Sequence, residues 1–148
     1  MRDRWTLTVN SDARQLARIG EFIIQAGNAA GLNDRALFAV ELACDEACSN
    51  VIEHGYAGQP GEIRISCFVS ETDFIVEVVD RGPPFNPLSV KPAPAATSID
   101  DIPVGGRGIT LIRKLMDSVA YAFDPYEGNR LTMTKRGVVP APRAADLT

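Results

Sequence analysis

The chain has 148 residues, 45% hydrophobic and 23% charged, with a formal net charge of −4 at neutral pH. Such a length and balance fit one soluble globular domain whose core needs no disulfide staples. The acidic balance argues against direct nucleic-acid binding, which brings a basic stripe, and no run reaches the roughly 18 apolar residues of a membrane span. Met1-Arg-Asp-Arg-Trp-Thr is no signal peptide. Cys44, Cys48 and Cys67 cannot all pair within one chain and have no partners at zinc-site spacing. They read as small core residues of a reduced, cytoplasmic protein.

In chain order, Trp5 to Val9 alternates apolar and polar residues as an edge strand does. Asn10, Ser11 and Asp12 offer caps for a helix with Leu16, Ile19, Phe22, Ile23 and Ala26 at helical spacing, ended by Gly27 and Gly31. Asn33 or Asp34 caps a second helix running to His54-Gly55, with Leu37, Val40, Leu42, Ala43, Ala47, Val51 and Ile52 on its buried face. Gln59-Pro-Gly is a turn. Glu62–Val69 and Phe74–Val79 then alternate as two strands of an antiparallel hairpin. From Asp80 the chain turns rich in Pro, Ala and Ser as far as Gly108, a length that signals a lid or an insertion. Ile109–Met116 resumes helix, Val119–Phe123 is a strand, Tyr126–Asn129 a turn and Arg130–Lys135 the last strand. We expect a single domain over residues 1–137, a lid over about 81–107 and a flexible tail over 138–148. Consecutive hairpins and three amphipathic helices predict an α+β fold. It is a two-layer α/β sandwich, a mostly antiparallel mixed sheet covered on one face by the helices.

The chemistry concentrates in three places. Glu46 and Asn50 stand four apart on the second helix, so their side chains leave the same surface. A carboxylate can orient a hydroxyl or take its proton, and an amide oxygen is a hard ligand suited to Mg²⁺. Asp80 closes an apolar strand, where a buried carboxylate accepting from an exocyclic amine would select adenine. Gly82, lacking a side chain, leaves room beside it for a flat ring. Gly105-Gly106-Arg107-Gly108 opens a helix, so free N–H groups and the positive helix end would face a phosphate, with Arg107 adding charge. Taken singly, Asp80-Arg-Gly is also a common turn and a glycine cluster a common joint. The cluster matches neither a dinucleotide fingerprint nor a Walker A loop.

In order, Glu46-x-x-x-Asn50, Asp80-x-Gly82-x-Pro84-Phe85 and Gly106-x-Gly108-Ile109 resemble the N, G1 and G2 boxes of the GHKL ATPase superfamily, with its histidine-kinase-like ATPase fold. Asn50-Val-Ile-Glu-His54-Gly55-Tyr56 and Asp80-Arg-Gly-Pro-Pro-Phe85 are most similar to the small bacterial anti-sigma-factor serine kinases. The resemblance implies ATP and Mg²⁺ as cofactors. It makes Glu46 the catalytic carboxylate, Asn50 the Mg²⁺ ligand and Asp80 the adenine acceptor. Gly82, Pro84 and Phe85 would flank the ring, and Gly105, Gly106, Arg107, Gly108 and Ile109 would close on the phosphates. Thr132 would be the polar residue beside the adenine, and His54 would border the phosphates. The implied partners are an anti-anti-sigma protein phosphorylated on serine and a sigma factor held inactive, and relatives form homodimers. Two further readings stay open, a nucleotide-dependent binding switch with little turnover and a free-standing histidine-kinase catalytic domain.

Overall fold

The computed structural model describes residues 3–56, 59–89 and 104–141. Among them the chain runs β1 (Arg4–Asn10), α1 (Leu16–Ala30), α2 (Asp34–Asn50), β2 (Glu62–Ser70), β3 (Asp73–Asp80), α3 (Val104–Leu115), β4 (Ser118–Asp124) and β5 (Gly128–Lys135). The strand order is β1-β2-β3-β5-β4, and every neighbouring pair is antiparallel. The expected two-layer α+β architecture is therefore present, with a sheet that is antiparallel throughout the described residues rather than mixed. β1 stands at one edge, as its short alternating sequence implied.

Period-2 alternation decides which face of each strand is buried. Ile63, Ile65, Cys67 and Val69 of β2 stand opposite Asp80, Val78, Val76 and Phe74 of β3, and Met133 and Leu131 of β5 continue the row. These side chains meet Ile19 and Ile23 of α1, Val40, Ala43 and Ala47 of α2, and Ile109 and Ile112 of α3, all buried in one core. The three cysteines belong to it as free buried thiols. Hydrogen bonding with Cys44 and burial push the Cys48 thiol up, and burial pushes up Cys67, which keeps both protonated and unreactive.

The helix ends follow local chemistry. Asn33 caps α2 by accepting from Ala36 N–H at 2.8 Å. α1 ends in a Schellman motif: Gly31 is left-handed (φ 90°), and Leu32 and Gly31 donate to the Gly27 and Asn28 carbonyls at 3.0 and 3.1 Å. Gly27 is thus inside the helix and not at its end; a Cβ there would fall 2.4 Å from Leu37 Cδ1, so it lets α2 approach. α3 starts at Val104, earlier than the apolar spacing suggested, so the glycine cluster forms its first turns and the lid span is shorter than 81–107. The tail is not loose at its start. Val139 is 3% exposed and donates its N–H to the Thr72 carbonyl at 3.0 Å. Residues 90–103 and 142–148, which hold most of the expected lid and tail, lie outside the described residues. No described helix is long and apolar enough to cross a membrane.

Candidate nucleotide site

Glu46 and Asn50 project from the last turns of α2 toward α3, and the contact point is Gly108. A Cβ at Gly108 would stand 3.2 Å from Glu46 Oε2 and 3.2 Å from Asn50 Nδ2. Glycine therefore lets the start of α3 lie directly on the pair, while Ile109, 1% exposed, anchors the same turn in the core. Burial, and then the charges of Asp45 and Glu53, hold the Glu46 carboxyl above its ordinary range. The fold brings Glu46, Asn50 and Gly108 together. Gly105 and Gly106 lie in the first turn of α3, and the Arg107 side chain lies outside the described residues.

Beyond Asn50 the helix widens into a π-turn over Val51–Gly55, with Tyr56 N–H donating to the Val51 carbonyl at 2.9 Å. His54 is exposed and stacks on Phe85 with ring centroids 6.1 Å apart. Gly55 comes to the inside instead.

Asp80, 5% exposed, ends β3 on the helix-facing side of the sheet. With Asn50, Gly55, Phe85, Tyr121 and Asn129 it borders a narrow recess of about 20 Å³, walled by Val51, Val78 and Leu131. Burial raises the Asp80 pKa, against hydrogen bonds from Gly82 N–H and Asn129 that lower it. Those donors stand 2.9 and 3.0 Å from Oδ1, and Oδ2 has no partner among the described residues. A more open groove between α1 and α2, lined by Leu16, Phe38 and Glu41 among others, holds none of the three boxes' residues.

Three sequence expectations change here. Gly82 is required by the backbone alone, since a Cβ there would lie 2.9 Å from the Gly55 carbonyl oxygen. Pro84 is exposed and outside the recess, where Pro87 lies instead. Thr132 pairs with Glu77 on the outer face of the sheet, one residue out of phase with the inward Leu131 and Met133. A single step of register puts it on the wrong side. The inward polar residue of β5 is Asn129, which the sequence reading assigned only to a turn. Its position two before Leu131 was the available signal.

Gly128 carries a further constraint. Its φ is +93°, and a Cβ would fall 2.1 Å from the Asp80 carbonyl oxygen. We expect Gly128→Ala to lower unfolding free energy in urea by about 2–4 kcal/mol, through strain at positive φ and displacement of the Asp80 backbone. A loss below about 0.5 kcal/mol would show that the turn relaxes freely.

The donor set suits a hard cation only in part. Among the described residues no three His, Cys, Asp or Glu side chains converge on one point. Asn50 and Glu46 are the hard-donor side chains that meet at Gly108, and Mg²⁺ held by one or two side chains keeps water and phosphate oxygens in its shell.

Comparison with known proteins gives a consistent result. The model of the histidine kinase-like ATPase domain matches residues 9–135. The serine/threonine-protein kinase BtrW of Bordetella bronchiseptica is 30% identical over 102 residues, 68% of this chain and 70% of that protein. The serine-protein kinase RsbW of Bacillus mycoides is 33% identical over 116 residues, covering 72% and 71%. The anti-sigma F factor of Clostridium acetobutylicum is 28% identical over 97 residues, covering 66% and 68%. Among solved structures, the RsbU and RsbW domains of a Mycobacterium tuberculosis protein superpose with a TM-score of 0.66 at 17% identity. That match covers 99% of this chain and 36% of the other, and it shows shared fold.

Proposed function

The chain belongs to the histidine kinase-like ATPase domain family, and from that we propose an ATP-dependent serine protein kinase that also acts as an anti-sigma factor. Relatives named as serine kinases and as an anti-sigma factor, each matched over about two thirds of its length or more, support the reading. The single observation that carries it is the place of Asn50. It borders the recess that ends at Asp80 and also abuts Gly108 at the start of α3. A base held at Asp80 would therefore send its phosphates past Asn50 toward the α3 N-terminus and Glu46.

In this reading Asp80 accepts from the exocyclic amine of adenine, and Phe85 lies against the ring. Gly105 and Gly106 offer first-turn backbone N–H groups to the phosphates at the positive end of a helix of 12 residues, Gly108 lets that end lie against Asn50, and Arg107 adds charge. Asn50 is the protein ligand for Mg²⁺, which when bound neutralises phosphate charge. Glu46, at the same point, orients the serine hydroxyl and takes its proton. Phosphoryl transfer asks chiefly for positioning and charge stabilisation, so this short set of groups suffices. The phosphoacceptor is a serine on an anti-anti-sigma protein, and the alternative partner is a sigma factor, with nucleotide state choosing between them. We place the protein in the cytoplasm as a homodimer, for which β1 offers an open sheet edge. A monomeric mass at micromolar concentration would remove the dimer from the account.

Calorimetric titration with ATP and Mg²⁺ tests the reading. One site per chain, with affinity lost on chelation of the metal, is the expected result. Absence of binding by any adenine nucleotide would reduce the protein to an interaction domain.

A further inference from the structure

Asn129 is 4% exposed, and both ends of its amide are engaged by the protein. Its Nδ2 donates to Asp80 Oδ1 at 3.0 Å, to the Gly82 carbonyl at 3.1 Å and to the Pro83 carbonyl at 3.0 Å. Its Oδ1 accepts from Phe85 N–H at 3.0 Å and from the Tyr121 hydroxyl. The amide orientation is fixed by this surround, because the flipped form would set an oxygen against three oxygens. An amide has two hydrogens and two lone pairs, and all are taken. Nothing remains for a ligand.

Resting on the nucleotide-site reading above, we propose that Asn129 is a positioning residue and not a contact to the base. It aims Asp80 and ties the first residues beyond β3 to the sheet. With Gly82 N–H, it places two donors on Asp80 Oδ1, which leaves Oδ2 as the oxygen that faces the exocyclic amine. Without Asn129 the carboxylate is held by one bond and can turn about its last torsion. The same loss strips the Gly82 and Pro83 carbonyls and the Phe85 N–H of their side-chain partner. Base selection and the anchoring of residues 82–85 thus meet in one side chain on β5.

The test compares ADP with inosine diphosphate, which carries a carbonyl where adenine has its amine. Dissociation constants for both are measured by calorimetry on the full chain, with melting curves beside them. Wild type is expected to prefer ADP by roughly 10–100-fold, the effect of one charge-assisted hydrogen bond. Asn129→Ala should bring that preference to within about threefold while still melting cooperatively, because the aim of Asp80 is lost. A purely structural role would weaken both nucleotides alike and leave the ratio unchanged; that outcome in a folded variant overturns the inference. Should Asn129→Ala fail to fold, Asn129→Ser keeps a polar side chain but withdraws the Nδ2 donor from Asp80 Oδ1; its ratio should fall as expected for Asn129→Ala, and an unchanged ratio again overturns the inference. Wild type that binds no ADP overturns the nucleotide reading and this inference with it, whereas binding with an unmoved ratio overturns the inference alone.

Discussion

Asp80→Asn is expected to melt at or above the wild-type temperature without nucleotide, and to lose ATP affinity by roughly 100-fold or more. The two effects share one cause. The Asp80 carboxylate is 5% exposed, and its pKa is raised chiefly by burial, so the ionised form is disfavoured in the folded state. A carboxyl whose folded pKa is raised contributes stability that is complete below its unfolded pKa and lost as pH rises through the folded value. At neutral pH the charge is a liability to the fold. An asparagine keeps an oxygen for the Gly82 N–H and Asn129 Nδ2 bonds and drops the charge. It also sets an NH₂ group where Oδ2 stood, donor against the donating amine of adenine. Melting curves as a function of pH check the sign. Wild type should gain on Asp80→Asn as pH falls from neutrality toward the ordinary carboxylate range, since other titrating groups cancel in the difference. A variant that is less stable at neutral pH and still binds ATP would contradict both halves.

Glu46→Gln is expected to bind ATP within about threefold of wild type and to lose phosphoryl transfer by about 10²–10⁴-fold. The side chain is absent from the lining of the Asp80 recess, so the base has no contact to lose. Its Oε2 faces the start of α3, where phosphates are expected, and a glutamine there preserves shape while removing the proton acceptor. Burial and the charges of Asp45 and Glu53 raise its pKa toward the working range of a general base. Transfer should therefore climb as pH rises through that value. Single-turnover transfer measured beside binding separates the two roles. Equal losses in both would make Glu46 a binding residue.

Much of this was readable from residue order because the signals are local. The alternation of Glu62–Val69 and Phe74–Val79 specified a hairpin, and Asn33 and Gly31 gave the boundaries of α1 and α2. The i, i+4 spacing of Glu46 and Asn50 placed them together before any tertiary contact was known. What failed was non-local or lacked a residue signature. Thr132 and Asn129 differ by pairing register with β3, which two strands must agree on. The π-turn at Val51–Gly55 has no sequence mark, and neither has the stacking of His54 on Phe85 beyond it. Gly105–Gly108 read as the opening of α3, but apolar spacing alone began only at Ile109, because glycine is a poor helix former and carries no periodic signal. Val139 read as tail because its core contacts come from elements far away in sequence.

The most direct test of the central claim is phosphate transfer itself. The chain is incubated with γ-labelled ATP, Mg²⁺ and a small anti-anti-sigma protein bearing the candidate serine. The account predicts acid-stable label on that serine, mapped by mass spectrometry and absent with Glu46→Gln. Acid-labile label on a histidine, or no transfer from a chain that binds ATP normally, would contradict it.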